Sequence, residues 1–436
     1  MKINEIWFFN HYAFDMYRNC GGRHYNFAKQ LIAKGYSVTI FCANVAHNSN
    51  DKIDITKGRY KICYKDGINF VFIKTVSATN NGWQRILNMI IFSFNLMLSG
   101  VEIKKRNILR KPDIIISSSV HPLTLVVGNK LANKFRIPSI CEIRDLWPEA
   151  IFMFDKAKEN SILGKILIWG EKNIYENADN LIFTKEGDVD YLKERGWLVQ
   201  YGGKISEEKC HYINNGVIIS DFNNFKKEYE INDTLLNKNS FKIIYTGAIR
   251  PINNVGKIID VAKELSRRGI GNIDFYIYGE GSEKDKLEQR AESEAKNVHF
   301  MGKIDKKFIP SILSKSNINL LIYSSEKYNW SRGNSSNKLF EYLASGKPII
   351  TNVKMGYSII QKYKCGMESE FDTAESIADC IQKIYSNKLL QEEMSMNSID
   401  AASDFDYSVL TNHLIEVINE TGEIFYEGRS SSCIND

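Results

Sequence analysis

The segment Gly333-Asn334-Ser335-Ser336-Asn337-Lys338 runs from small polar residues into a helical pattern. Amides at such a helix start carry partial positive charge and suit a phosphate. One turn later stands Glu341, among the apolar Leu339, Phe340, Leu343 and Ala344. A carboxylate there can accept hydrogen bonds from vicinal hydroxyls such as those of a ribose. An exposed helix glutamate with no ligand reads the same way. Upstream, Tyr245-Thr246-Gly247-Ala248-Ile249-Arg250 closes a strand with a glycine turn and an arginine. A forked guanidinium at that edge can clamp a diphosphate, or simply be solvated.

Two further glycine turns join strands to helices. Gly21-Gly22 opens the first long helical pattern, where glycine lets a ligand approach the backbone and the helix start offers amides to a phosphate. Tyr278-Gly279-Glu280-Gly281-Ser282 repeats the turn in the C-terminal half, with Ser282 as the expected N-cap. Neither is G-x-G-x-x-G, and no acid ends the second strand, so nicotinamide binding is disfavoured. Asp188-Val189-Asp190 has the spacing of a metal-bridging acid pair. Acids in a first helical turn favour the helix dipole without a metal, and no metal or other cofactor is expected.

These turns need strands and helices in alternation, and the chain supplies them. Expected strands are Glu5–Phe9, Ser37–Cys42, Asp113–Ser117, Ser139–Ile143, Asn180–Phe183 and Lys209–Ile213, then Lys242–Tyr245, Asp274–Tyr278, Asn297–Phe300, Ile318–Ile322 and Pro348–Thr351. Helical patterns between them include Arg23–Lys34, Leu123–Phe135, Gly256–Arg268, Glu283–Glu294 and Asn337–Ala344. Apolar strands separated by helices predict an α/β fold: two doubly wound, Rossmann-like domains facing a cleft. The pattern restarts after a polar stretch, which sets the domains at 1–222 and 223–404. A helix over 405–422 is expected to pack back on the first domain, with a tail at 423–436.

The chain's 436 residues exceed one ordinary core. Its 43% hydrophobic and 25% charged content excludes disordered and multi-spanning classes. A net charge of +5 suits anionic ligands, though nothing indicates a nucleic acid. The eight cysteines lack a C-x-x-C pair and fit a reducing compartment. No signal peptide is read at the N-terminus, so a cytoplasmic protein is expected. Ile86–Val101 is apolar but broken by Asn88, Ser93 and Asn95. With its flanks, 83–106 reads either as an interfacial amphipathic helix or as a core-facing one with a basic end.

Taken in order, Gly21-Gly22, Asn215-Gly216-Val217 with Asp221-Phe222, Gly247, Gly279-x-Gly281, Val298-x-Phe300-x-Gly302 and Asn337–Pro348 resemble the GT-B retaining glycosyltransferases of family 4 over nearly the whole chain. Glu142-Ile143-Arg144-Asp145-Leu146-Trp147-Pro148-Glu149 resembles the members that build bacterial surface polysaccharides such as capsule or lipopolysaccharide.

The resemblance implies a hexosyltransferase-type enzyme whose partners are a nucleotide sugar and a glycan acceptor. The 83–106 segment adds the expectation that the acceptor is lipid-linked at the inner membrane face, with peripheral contact through that segment. It implies that Glu341 holds the donor ribose, that Asn334, Ser335, Ser336 and Asn337 hold the diphosphate opposite Gly22, and that Gly302 to Ile304 receive the base. His121 falls where the family places a histidine near the donor sugar. Arg144, Asp145 and Glu149 are acceptor-side candidates, or partners in a structural salt bridge. The sequence departs from the pattern at Gly333, where the first glutamate of E-x7-E is expected, and at Ala248 and Asn253, where the family has arginine and lysine. Arg250, with Lys338 as second candidate, would supply the displaced charge. A nucleotide-sugar epimerase of the same fold and a donor-binding protein without turnover are the alternatives.

Overall fold

The computed structural model describes residues 3–46, 51–77, 82–153, 158–326 and 329–432. The chain divides into two compact units, Met1–Asn214 with Leu410–Asp436, and Asn215–Val409. The break thus falls at Asn214/Asn215, not after 222. Residue 222 lies inside the helix Ile219–Glu228, which packs on Ile309–Ser314 of the second unit, so the polar stretch that follows is not the divide. The last helix, Tyr407–Ser432, is longer than 405–422 and absorbs most of the expected tail. Residues 433–436 lie outside the described residues.

The first unit holds eight strands: β1 Glu5–Phe9, β2 Ser37–Ala43, β3 Tyr60–Lys65, β4 Ile68–Ile73, β5 Ile114–Ser118, β6 Ser139–Ile143, β7 Asn180–Phe183 and β8 Cys210–Tyr212. Their order is β3-β4-β2-β1-β5-β6-β7-β8, parallel except for β3 against β4. Every residue of β1, β5, β6 and β7 is buried, as a sheet covered on both faces requires. Trp7, Phe9, Phe41, Phe92 and Leu96 share one of its cores. The antiparallel β3–β4 hairpin is absent from the sequence expectation. Asp66 and Gly67 turn it with φ of 53° and 86°, the left-handed pair a tight hairpin needs.

The second unit holds β9 Phe241–Thr246, β10 Ile273–Tyr278, β11 Val298–Gly302, β12 Ile318–Leu321, β13 Ile349–Thr351 and β14 Gly366–Glu368. Their order is β11-β10-β9-β12-β13-β14, all parallel. Helices Gly256–Arg267 and Ala374–Tyr385 pack together, contributing Ile258, Leu265, Ile377 and Ile381 to the core beside Ile243, Phe275 and Leu320. The helix after Gly281 starts at Lys284 with Glu283 at its N-cap, so Ser282 does not cap it.

In both sheets the strand order reverses once at the middle, between β1 and β5 and between β9 and β12. Loops leave in opposite directions there, opening a crevice at the carboxyl ends of the strands. Gly21, Gly22, His121, Gly247, Arg250 and the 333–336 segment lie on those loops, whereas Gly302 ends β11, Ile304 follows it, Asp145 follows β6, and Lys338 and Glu341 sit on the helix Asn337–Ala344.

Candidate functional site

In the second unit, the loops after β9 and β10 run backbone to backbone. The Gly247 amide donates to the Tyr278 carbonyl at 2.9 Å and the Ile249 amide to Glu280 at 2.9 Å. A Cβ at Gly279 would stand 1.8 Å from the Gly247 carbonyl oxygen, and one at Gly281 2.1 Å from that of Ile249. Gly279 and Gly281 therefore serve this close approach. Gly247, at φ 147°, turns the chain out of β9. Arg250 is exposed, at the N-cap of the short helix Pro251–Asn253.

Lys338 lies at the switch point itself. Its Nζ stands 4.7 Å from the centre of the Tyr245 ring, near the end of β9, and 4.3 Å from that of Tyr323, just after β12. Among the described residues no carboxylate pairs with it, and burial pulls its pKa down to about 7. The Tyr245 hydroxyl, 3.5 Å from Nζ, accepts from Asn253 Nδ2 at 2.9 Å and donates to the Ala248 carbonyl at 2.9 Å. Asn253, standing where a lysine was expected, thus orients the ring beneath the lysine that is present.

The Gly333–Asn337 loop is braced from three sides. The Asn334 side chain, buried, accepts from the Ser336 amide at 2.7 Å and donates to the Tyr323 hydroxyl at 3.3 Å. Ser336 Oγ lies 2.6 Å from that hydroxyl, and the Ser335 carbonyl accepts from Asn215 Nδ2 at 2.6 Å. These bonds fix the start of the helix Asn337–Ala344, whose first amides have no intrahelical acceptor. Gly333 sits at φ 100°, ψ −165°, a backbone that L residues, glutamate included, rarely adopt.

Glu341 is half-buried, its Oε1 3.1 Å from Nζ of the exposed Lys306. The charge of Glu341 raises the Lys306 pKa. Lys306 follows the Gly302–Ile304 loop, so the fold brings Glu341 beside the loop predicted to take a base. Gly302, at φ 71°, accepts from the Gly279 amide at 2.9 Å, and Ile304 is half-buried.

In the first unit, Gly22 at φ 102° caps the helix Arg23–Ala33, preceded by Gly21. The first two side chains of that helix turn inward. Arg23 donates to Glu142 at 2.7 Å and to the carbonyls of Asn214 and Ile213, and His24 Nε2 lies 2.9 Å from the same carboxylate. Burial alone would raise the Glu142 pKa, but Arg23 and His24 hold it well below the carboxylate range. This buried group fastens the segment that begins at Glu142. The Arg144 amide donates to Ser119 Oγ at 2.9 Å, tying the loop to the end of β5, while Asp145 is exposed and Glu149 half-buried.

His121 follows β5 and is fully buried. Its Nε2 lies 2.6 Å from Nδ1 of His11, which follows β1 and stacks on Phe92 with ring centres 4.1 Å apart. Burial, then the charge of Arg85, pulls the His121 pKa down to about 3. Asp188 is buried 3.6 Å from Lys185, and Asp190 lies 3.2 Å from Lys193.

His11, Asn215, Tyr323 and Lys306 are the participants that residue patterns missed. Of these only Asn215 carried a signal, inside the Asn-Gly-Val motif.

Residues 23–221 match the family model described as Glycosyltransferase Family 4, and residues 226–401 the one described as Glycosyl transferases group 1. No curated protein matches the chain in sequence. Among solved structures it is similar to sucrose-phosphate synthase from Thermosynechococcus elongatus, with 14% identity, a TM-score of 0.67, and 96% of this chain and 98% of that one covered. It is also similar to HepE from Anabaena in complex with UDP-glucose (13% identity, TM-score 0.60, 95% and 99% covered). WaaG, a glycosyltransferase involved in lipopolysaccharide biosynthesis, is a third (13%, TM-score 0.61, 95% and 99% covered).

Proposed function

Since this chain belongs to the family 4, group 1 glycosyltransferases of GT-B fold, we propose that it moves a sugar, with retention, from a nucleoside diphosphate to a glycan. The observation that carries this reading is the convergence in the second unit of Lys338, the first amides of the helix Asn337–Ala344 and Glu341. The diphosphate sits against Lys338 and those amides. Glu341 accepts from the ribose, exchanging its bond to the solvated Lys306 for the hydroxyls, and the base lies on Gly302–Ile304. HepE, bound to UDP-glucose in its own structure, supports a donor of this chemical class.

Transfer breaks the bond from the anomeric carbon to the diphosphate and makes one to an acceptor hydroxyl on the same face, the hydroxyl's proton passing to the released diphosphate. Lys338 and the fixed amides take up the negative charge that develops on the leaving diphosphate, a stabilisation that grows toward the transition state. Lys338 takes this role before Arg250, because its ammonium is held on two tyrosine faces while Arg250 is exposed. In the first unit taken by itself, His121 offers a sugar the remaining nitrogen of a neutral imidazole, and Arg144, Asp145 and Glu149 offer polar groups to an acceptor.

We assign the acceptor as a lipid-linked glycan in bacterial surface-polysaccharide assembly, at the cytoplasmic face of the membrane, with helix Trp83–Arg106 as the peripheral contact. The Glu142–Glu149 motif and the likeness to WaaG support that setting.

Incubating the protein with a panel of nucleotide sugars tests the reaction. Free nucleotide that appears only with acceptor is the expected result. An isomerised donor would establish an epimerase instead, and binding without turnover a donor-binding protein. Glu341→Ala is the local test: unchanged nucleotide affinity would remove the ribose assignment.

A further inference from the structure

Helix Trp83–Arg106 is long and apolar enough to cross a membrane by length and composition alone. Its placement argues against spanning, since Phe92, Leu96 and Ile103 are wholly buried in the first unit's core. Withdrawing them would open that core. The opposite stripe, Trp83, Ile90 and Phe94, faces solvent, with Trp83 77% and Phe94 64% exposed.

A second helix repeats the pattern. In Ile162–Glu176, Ile162 is 81% and Trp169 67% exposed, with Ile166 exposed between them at helical spacing. Helix Pro122–Phe135 packs against both, so the three form one layer. It too begins with an exposed apolar residue, Leu123. Each of the three helices returns the chain from the carboxyl end of one parallel strand to the start of another, so their N-termini lie together at the carboxyl edge of the sheet. That is where the exposed residues cluster, and the edge from which His11 and His121 project.

The charges select the partner. From Trp83 to Val101 the one charged residue is Arg85, and from Ile162 to Gly170 it is Lys165. Both are cations. The nearest acids are taken up: Glu102 pairs with Arg106, Glu159 with Arg195, and Glu171 is buried. Exposed tryptophan and isoleucine with a lone cation on each stripe match the headgroup region of an anionic bilayer, where amphipathic rings settle and basic side chains meet lipid phosphates.

We infer that helices Trp83–Arg106 and Ile162–Glu176 seat the carboxyl edge of the first unit's sheet on an anionic lipid surface. The inference extends the membrane contact of the proposed function to a second helix and fixes which edge meets the lipid. It does not depend on the transfer chemistry. A lipid-linked acceptor then reaches the His121 edge from the bilayer without leaving it.

Sedimentation with phosphatidylcholine vesicles, with and without phosphatidylglycerol, tests it. Binding is expected only with the anionic lipid and weakens in high salt. Trp169→Ser combined with Ile166→Ser lowers vesicle affinity roughly tenfold, and Trp83→Ser with Phe94→Ser does the same. Nucleotide-sugar affinity and circular dichroism stay unchanged in both variants, which separates lipid contact from donor binding and from folding. Vesicle binding that survives the Ile166/Trp169 substitutions overturns the second contact. A wild-type protein that ignores anionic vesicles, or forms a dimer that Trp169→Ser breaks, overturns the lipid surface altogether. Vesicle binding without sugar transfer would leave this inference standing and remove the proposed reaction.

Discussion

His11 and His121 share a hydrogen bond of 2.6 Å, Nδ1 to Nε2, between two buried rings carried by the loops after β1 and β5. Phe92 stacks on His11 and holds its ring plane. The Nδ1 of His121 is buried with no hydrogen-bond partner among the described residues. A neutral imidazole bonded through one nitrogen has its tautomer set by that bond, so His11 positions the remaining nitrogen of His121.

This pair gives the first prediction. Because burial holds the His121 pKa near 3, far below the usual 6.5, the folded ring stays neutral while the unfolded ring protonates below 6.5. The unfolded chain then binds more protons, so stability falls as pH drops from 6.5 toward 3. His121→Gln flattens that part of the stability curve, measured by urea unfolding at several pH values. It also lowers kcat roughly ten- to hundredfold, the effect of one lost hydrogen bond to the sugar. A His121 ring that titrates near 6.5 by NMR would contradict both.

Lys338 gives the second. With its pKa drawn down to about 7, the free protein carries this lysine partly deprotonated above neutrality. A diphosphate binds the charged form, so donor affinity declines as pH rises through 7, and binding above that pH takes up a proton. Calorimetry in buffers of different ionisation enthalpy reads the uptake directly. Lys338→Met abolishes the uptake and weakens nucleotide-sugar binding roughly ten- to hundredfold, the scale of a charge-assisted hydrogen bond. Arg250→Ala produces the smaller loss. The reverse ranking would return the diphosphate to the exposed arginine.

The sequence and the structure agree where burial and periodicity leave one solution. β1, with every residue of Glu-Ile-Trp-Phe-Phe buried, has the same bounds in both. The β3–β4 hairpin escaped because Tyr60–Lys65 is half-exposed and reads as polar, although Asp66-Gly67 carried a turn signal. β14, only three residues long, offers too little pattern to read. At the candidate site, Glu341 and the Asn334–Asn337 loop are local in sequence and could be recognised there. The His11–His121 pair spans 110 residues, and the contact of Lys338 with Tyr245 spans 93. Such partners become visible only when strand order is known, because the reversal of each sheet is what brings their loops together.

The third prediction concerns Gly333. Restoring the family's glutamate does not restore its contact, because φ of 100° strains any side chain whatever the space around it. Gly333→Glu and Gly333→Ala should each lower stability by about 1–2 kcal/mol, from the cost of a positive φ. Both lower kcat, because the strain is relieved by moving the Asn334–Asn337 loop. A Gly333→Glu protein with wild-type Tm and raised turnover would show that the loop accepts the glutamate after all.

Glu171 supplies the last. It is buried on the helix Ile162–Glu176 and accepts hydrogen bonds from the hydroxyls of Tyr175 and Tyr191, each at 2.7 Å. Burial raises its pKa to about 7 despite those two donors. The folded protein therefore keeps a proton that the unfolded chain releases near 4.5. Between these values the native state binds more protons, so this residue's contribution to stability declines as pH rises from 4.5 through 7. The cost at alkaline pH is on the order of 3 kcal/mol, at about 1.4 kcal/mol for each unit of pKa. Glu171→Gln keeps a carbonyl acceptor for the tyrosines and cannot ionise. It should match the wild type in denaturant midpoint near pH 5 and exceed it at pH 8. Equal midpoints at pH 8 would mean that the two tyrosine hydroxyls compensate the buried charge fully.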